Sequence, residues 1–577
     1  MDSAPATTRW WKADPVTAPP RRPAVVARER ARERLRSEEF DLLVVGGGVT
    51  GAGVALDAAS RGMSVALVDK GDWASGTSSK SSKLVHGGLR YLQQKEYRLV
   101  YENLRERQRL LHNAPHIVRV MPFLIPLFGK QGVVSSTVAK AYSTALTLYD
   151  VTGGWRIGTL HKRLGVAETV AHMGGLSKGK VAAGFLYFDA QADDARLTLG
   201  LVRTAADHGA VVLNHCGVGS FTTSPSGRVT GAVLDDGSTV RARCVVNATG
   251  VWAEQVAALA GPVTFTIRPA KGIHIVVPFA KIRADIAAVV PVRSDKRSVF
   301  VVPAFDSGSS GTTAGAPSDR IYIGTTDTDY DGPLDAPICT PADIRYVLDG
   351  INDWLEQPLT EDDVIGTWAG LRPLLGAAKN AKTADLSRRH QVVRAQSDLV
   401  SILGGKLTTY RQMAEDTVDE CERVLGRRHA RCRTRRLPLR GAPADSPMEP
   451  GAAERLRVDP AVLRHLIDRY GSEAPAVAAL IRTDPSLGAP LVSGLSYLRA
   501  EAVHAVRVEQ ARTLEDVLSR RTRALLLDTE ATVAAAAETA RLIAPELVWS
   551  PGDEQAELER FRAFVRAEKP TRKAIPA

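Results

Sequence analysis

The chain has 577 residues, more than one ordinary core can organise, and 44% hydrophobic with 24% charged residues is the composition of a soluble globular protein. A formal net charge of +11 favours acidic partners, phosphorylated small molecules or anionic lipid; no zinc-finger, RRM-like or basic–aromatic pattern accompanies it, which argues against nucleic acid. The 5 cysteines are scattered without a CxxC pair, excluding a disulfide framework or cysteine-rich zinc site and predicting a reducing compartment.

Residues 1–38 are rich in proline and charge, with Arg28, Arg30, Arg32, Arg34 and Arg36 among glutamates and alanines. They read as a basic arm, either a short helix or disordered, and as an ordinary solvated tail in preference to a lipid-contacting one. Arg9, Lys12 and the arginines from Arg21 interrupt any signal-peptide core, and no apolar run reaches the ~18 residues of a spanning helix. A cytoplasmic protein is expected.

Asp41-Leu-Leu-Val-Val-Gly-Gly-Gly-Val-Thr-Gly51 is a buried-type strand running into a GxGxxG turn. Gly46 permits the tight turn, Gly48 lets the backbone approach a pyrophosphate, and Gly51 allows close helix–strand packing. The spacing predicts a helix from Thr50 to Gly62, its N-terminus facing the phosphates, and a second strand ending in Asp69, placed for a ribose hydroxyl. Further on, Met121-Pro-Phe-Leu-Ile-Pro-Leu-Phe128 reads either as a buried core segment or as a stretch dipping into lipid headgroups.

Val211–Leu213 and Val229–Leu234 are strand-like, and Arg243-Cys-Val-Val-Asn-Ala-Thr-Gly250 repeats the strand-to-glycine theme. A dinucleotide domain built from separated segments follows. Gly272–Pro278, Ser298–Pro303 and Arg320–Gly324 predict strands of a large sheet covering a ligand, with a flexible loop at Asp306–Gly315. Asp327-Thr-Asp-Tyr-Asp-Gly332 matches the first half of a calcium loop, but Pro333 follows and Ile338 replaces the bidentate glutamate. No metal is expected.

Leu437–Pro447 reads as a linker, followed by helical patterns at Pro460–Tyr470, Ala474–Arg482, Tyr497–Ala511, Leu514–Leu526 and Ala531–Ala544. The expected division is an arm over 1–38, interleaved cofactor and substrate domains over 39–433, a linker over 434–450, a helical domain over 451–568 and a tail over 569–577.

Several motifs converge on one site. Thr77-Ser-Ser-Lys-Ser-Ser-Lys-Leu-Val-His-Gly-Gly-Leu-Arg-Tyr-Leu92 is a hydroxyl-rich loop leading to His86, Arg90 and Tyr91. Asn247–Ala253, Lys271–Pro278, Ile323–Thr328, Ala369–Leu374 and Gly404-Gly-Lys-Leu-Thr-Thr-Tyr-Arg411 complete the set. Together they closely resemble the FAD-dependent glycerol-3-phosphate dehydrogenases, in the amino-acid-oxidase-like flavoprotein class. The likeness runs from about residue 39 to 430 and continues through Tyr497–Glu501 and Leu514–Arg521. It implies an α/β fold: a Rossmann-like FAD-binding domain, an interleaved mixed-sheet substrate domain and an all-α C-terminal domain.

The resemblance also implies FAD, with its adenosine half on Gly46, Gly48, Gly51 and Asp69. Thr77, Ser78, Ser81, Ser82 and Lys83 would hold the pyrophosphate and ring. Gly250 lies in the second glycine motif, and Gly405, Leu407 and Thr408 would close over the isoalloxazine. The implied reaction oxidises sn-glycerol 3-phosphate to dihydroxyacetone phosphate and delivers electrons to a membrane quinone, at the inner face of the cell membrane. Arg90, Arg372 and Lys406 stand where such a site needs cations, the arginines offering planar forks for phosphate. Tyr91 orients the substrate or packs. His86 and His274 are the candidate bases. An oxidase using oxygen, an amine or amino-acid oxidase, and a non-catalytic flavin-binding module are the alternatives. The C-terminal helices are read as a surface for a homodimer, for docking or for partner contact.

Overall fold

Four consecutive apolar residues, Leu42 to Val45, are all buried because the strand Glu39–Val45 is covered on both faces. Leu42 and Val44 enter one hydrophobic cluster and Leu43 and Val45 another, as period-two alternation requires. This strand pairs in parallel with Val65–Val68 on one side and Thr239–Asn247 on the other. The computed structural model describes residues 23–88, 96–129, 136–293, 297–304, 319–376, 389–442 and 451–568.

Among the described residues the first sheet runs Gln391–Arg394, Val400–Leu403, Thr239–Asn247, Glu39–Val45, Val65–Val68, Val211–Leu213, with a hairpin of Val218–Thr223 and Val229–Leu234 at its side. Distant segments therefore build one nucleotide-type domain, as the separated motifs predict. The helix Val49–Ser60 covers it where Thr50–Gly62 is expected.

The second sheet has 10 strands among the described residues. Next to one edge lies the long strand Ile267–Pro278, flanked by Arg320–Gly324 and Gly366–Leu375 in antiparallel register. Val118–Phe128 pairs with Val181–Ala192 and with Ala287–Pro291. Phe123, Leu124, Ile125 and Leu127 are buried, so the Met121–Phe128 segment is a core strand.

The helices Pro460–Tyr470, Ala474–Thr483, Arg499–Glu509 and Thr529–Leu547 follow the sequence expectation closely; Pro551–Glu568 adds one that the pattern did not suggest. The predicted helix Leu514–Leu526 is corrected. It breaks into a wide π-type turn, Asp516–Arg521, and a short helix, Ala524–Leu527, with Arg523 between them in the left-handed region at φ 63°. Electrostatics explains the break. Asp72 accepts from Arg520 Nε at 2.6 Å and from Arg521 Nη1 at 2.6 Å, so adjacent arginines must aim at one carboxylate, which a regular helix forbids.

This contact fuses the C-terminal helices to the cofactor domain. Leu514, Leu518 and Phe561 share one hydrophobic cluster with Phe123, Tyr322 and Trp368 of the second sheet. Leu439, in the expected linker, is buried, and its amide donates to Asn113 O at 2.8 Å. Of the two readings of the arm the helix holds, as Pro23–Ser37, and its packing corrects the solvated tail: Leu35 is buried and Arg28 donates to Asn214 Oδ1 at 2.9 Å. The predicted loop Asp306–Gly315 lies outside the described residues.

Replacing Asp72 by Ala strands two buried guanidinium groups. The expected loss is about 3–5 kcal/mol in chemical unfolding; a loss below about 1 kcal/mol would show that Asp72 does not hold the domains together.

Candidate functional site

The glycine turn is closed to side chains. Gly46 has φ 109°, and a Cβ there would lie 2.7 Å from Ala248 O. A Cβ on Gly51 would collide with the Gly46 carbonyl oxygen, and one on Gly48 would stand 3.1 Å from Ser78 Oγ. The helix opens at Gly48, and its first amide, Val49 N–H, donates to Ser78 Oγ at 2.9 Å. Asp69 ends the second strand and accepts from Gly47 N–H at 2.5 Å and Gly71 N–H at 2.7 Å. Burial pushes its carboxyl above the ordinary range against the pull of those two amides. A backbone cradle at a helix N-terminus, with a carboxylate beside it, fits the pyrophosphate and ribose of a dinucleotide.

The loop from Thr77 to Lys83 links the two sheets. Thr77 Oγ1 donates to Leu371 O at 2.5 Å, and Trp368 Nε1 donates to Ser81 O at 3.2 Å. Tyr322 OH donates to Ser82 O at 3.0 Å, and the Ser82 hydroxyl shares a 3.0 Å hydrogen bond with His274 Nε2. Gly370 leaves no room, since a Cβ there would lie 2.5 Å from Lys80 O. The hydroxyl-rich loop is thus stitched along three strands of the second sheet, between the glycine turn and the sheet face.

His274 is buried and stacks on Trp368, ring centroids 4.6 Å apart and planes at 12°. Burial, then the positive charges of Lys83 and Arg372, hold its pKa well below the ordinary histidine range, so it is neutral at physiological pH. Its Nδ1 has no hydrogen-bond partner among the described residues. Arg372 lies opposite Ala270 in register, and its guanidinium lies over Gly272, where a Cβ would stand 2.6 Å from Nη2. It donates to Thr325 Oγ1 at 3.2 Å and Thr326 O at 3.2 Å, and pairs with Asp327 Oδ1 at 3.1 Å. Asp329 pairs with Arg268, and Thr328–Asp329 joins the sheet, so the half calcium motif is a strand and turn.

His86 follows the short strand Leu84–Val85 and is half-buried. The next amide, Gly87 N–H, donates to Asp189 Oδ1 at 3.1 Å and to the Tyr149 hydroxyl at 3.1 Å, which fixes the backbone there. On the far side Gly404 and Gly405 have φ 68° and 86°, and Lys406 caps the turn Leu407–Thr409, its carbonyl accepting from Thr409 N–H at 3.1 Å. Thr408 is buried, while Lys406 and Leu407 are half-buried. Gly250, at φ 63°, opens the turn Gly250–Trp252 beside the glycine cradle. Arg90 and Tyr91 lie outside the described residues.

Sequence reasoning missed Asp194, Trp368 and Tyr322. Trp368 directly precedes the Ala369–Leu374 motif, and the Asp193-Asp194 pair is a helix start signal; neither announces its contact with residues 81–83. Among the described residues two clusters lie close enough together for a cation, Asp72 with His215 and Asp516, and Asp419 with Glu422 and His429. Arginines already occupy both: Arg520 and Arg521 at Asp72, and Arg61 at Asp419 at 2.6 Å.

Residues 41–405 match the family model described as FAD dependent oxidoreductase, and residues 432–554 match that of the C-terminal domain of alpha-glycerophosphate oxidase. Glycerol-3-phosphate dehydrogenase 2 of Mycobacterium tuberculosis is 41% identical over 552 residues, 93% of this chain and 90% of that protein. The chain belongs to the FAD-dependent glycerol-3-phosphate dehydrogenase family. The mitochondrial glycerol-3-phosphate dehydrogenase of Mesocricetus auratus is 35% identical across 92% of this chain and 73% of its own length. The X-ray structure of the glycerol-3-phosphate dehydrogenase from Bacillus halodurans, complexed with FAD, superposes with a TM-score of 0.75 at 30% identity, covering 95% of this chain and 99% of that one. FAD is the cofactor of this family member, and the amino-acid-oxidase-like architecture is shown with it.

A Gly51→Ala substitution places a methyl group against the Gly46 carbonyl. FAD retention, read as the ratio of flavin to protein absorbance, should fall at least about tenfold; a variant that keeps its full complement of FAD would remove the glycine turn from the cofactor site.

Proposed function

We propose that the protein oxidises sn-glycerol 3-phosphate to dihydroxyacetone phosphate and passes the electrons to a membrane quinone. The observation that carries this reading is the 41% identity, along 93% of the chain, to a protein named for that substrate. Bound FAD supplies the hydride acceptor. Everything else is asked of side chains.

The phosphate needs cationic forks in a partly closed site. Arg372 suits this role because its guanidinium is already aimed by Thr325, Thr326 and Asp327, so little rotamer freedom is lost on binding. Lys406 adds a point charge from the glycine turn, and Arg90 with Tyr91 completes the set by motif. The alcohol proton needs a base. His274 is a poor one: it is enclosed, clamped by Ser82 and Trp368, and holds a proton only well below neutral pH. We assign the proton to His86, half-buried just after the strand Leu84–Val85. His274 is then a positioning residue that holds Ser82 and the cofactor loop.

A quinone acceptor calls for a membrane surface, and a net charge of +11 suits peripheral attachment to anionic lipid on the cytoplasmic side. No described helix is long and apolar enough to cross a membrane. Oxygen as acceptor is the second reading, favoured by the match of residues 432–554 to an oxidase C-terminal domain.

Anaerobic addition of sn-glycerol 3-phosphate should bleach the oxidised-flavin band, and quinone should restore it faster than oxygen does. An unchanged spectrum would overturn the substrate, and faster recovery with oxygen would overturn the acceptor. Arg372→Met should raise KM about 10- to 100-fold, the worth of one charged hydrogen-bonding partner. A base works only when deprotonated, so flavin reduction should rise with pH through an acid limb. His86→Asn should flatten that limb and His274→Asn should leave it in place; the reverse pattern would exchange the two assignments.

A further inference from the structure

The cofactor loop carries a buried charge whose partners come from two other parts of the chain. Lys83 is 3% exposed; its ammonium donates to Ser79 O at 2.7 Å and pairs with Asp194 Oδ1 at 2.8 Å. The other oxygen of Asp194 accepts from the Ser81 hydroxyl at 2.7 Å and from Ser81 N–H at 3.2 Å. Asp194 begins the helix Asp194–Asp207, and Asp193 caps it by accepting from Arg196 N–H at 3.0 Å. One carboxylate therefore holds both the middle and the end of the loop, from a helix start where negative charge is favoured.

Facing the same pair from the C-terminal domain is Arg523, 2% exposed. Its Nη2 lies 2.7 Å from Asp193 Oδ1, 3.5 Å from Asp194 Oδ1 and 3.4 Å from Ala192 O. The left-handed backbone at Arg523, between the wide turn and the short helix, sets the direction of this side chain. Arg469 reaches Asp193 Oδ2 at 3.8 Å from the same domain. On the sheet side stand Trp368, whose ring centre is 5.2 Å from Lys83 Nζ, and His274, which feels the charges of Lys83 and Arg372. Tyr322 faces Arg523 and Asp194.

We propose that Arg523 is a positioning residue for the cofactor: by sharing the Asp193–Asp194 pair with Lys83, it makes the grip of residues 77–83 on FAD depend on the C-terminal helices. The inference rests on the reading that residues 77–83 hold FAD, so it stands or falls separately from the substrate assignment. Its sign follows from charge. Burial lowers the Lys83 ammonium to about 8; Asp194 and Asp193 oppose that shift and Arg523 adds to it. While Lys83 is charged it clamps Asp194 to the loop. Once neutral, it leaves Asp194 to Arg523 and the loop loosens.

The test is FAD release from the holoprotein, followed by flavin fluorescence from about pH 6 to about pH 10. FAD affinity should fall as pH rises through about 8. Arg523→Met removes a neighbouring positive charge, so the fall should move up by about one pH unit. Asp193→Asn keeps the helix cap but removes a negative charge, so the fall should move down by about as much. Arg523→Lys should restore the original curve. A wild-type curve without the fall, or a folded Asp193→Asn or Arg523→Met protein whose curve superposes on the wild type, overturns the proposal. Should Arg523→Met fail to fold, the downward shift in Asp193→Asn decides alone.

Discussion

Parallel pairing of Glu39–Val45 with Thr239–Asn247 is the constraint on which the rest is built. Parallel neighbours cannot be joined by a tight turn, so the chain must leave the sheet and return. In leaving, it supplies the glycine turn, the hydroxyl loop and the strands Val118–Phe128 and Val181–Ala192 of the second sheet. In returning, it sets the second glycine turn against the first, close enough that Gly46 cannot carry a side chain because of Ala248 O. The cofactor cradle is a by-product of two strands ending side by side.

The elements legible in the sequence are those whose pattern is local. Glu39–Val45 is a run of apolar residues ended by glycines, and Pro460–Tyr470 is capped by Asp459 and opened by proline, so both were readable. Leu514–Leu526 misled because its helical periodicity is real but is overruled by Asp72, which lies more than 400 residues away and demands two consecutive arginines. The arm over 23–37 misled for a related reason: its arginines look solvated until Arg28 meets Asn214. The candidate site was legible as motifs, and His274, Ser82, Arg372, Thr77 and the glycines do gather around one loop. Its internal wiring was not legible, since Asp194 and Trp368 become partners of residues 81–83 only through tertiary contact.

Net charge also means something different inside the molecule. Arg61, Arg107, Arg196, Arg411, Arg469, Arg520, Arg521 and Arg523 are all buried. Each pairs with a carboxylate, as in Arg411 with Glu106 and Glu415 or Arg107 with Asp189. Part of the basic content is therefore internal scaffolding neutralised by its own carboxylates, and the excess of +11 is carried by the rest of the molecule. Such buried pairs add less to stability than well-packed apolar residues would, but they are costly to break singly, which suits them to fixing domain register.

The order in which this protein is synthesised has a bearing on its cofactor. Lys80, in the hydroxyl loop, pairs at 2.6 Å with Glu568, 488 residues later in the chain. Arg523 reaches the same loop through Asp194. A ribosome making roughly 5–20 residues per second would need on the order of half a minute or more between those two ends of one contact. The nucleotide-type sheet has all its strands once residue 403 has emerged. The loop over it lacks two of its anchors until translation is nearly complete, so its final geometry is a late event in the life of the nascent chain.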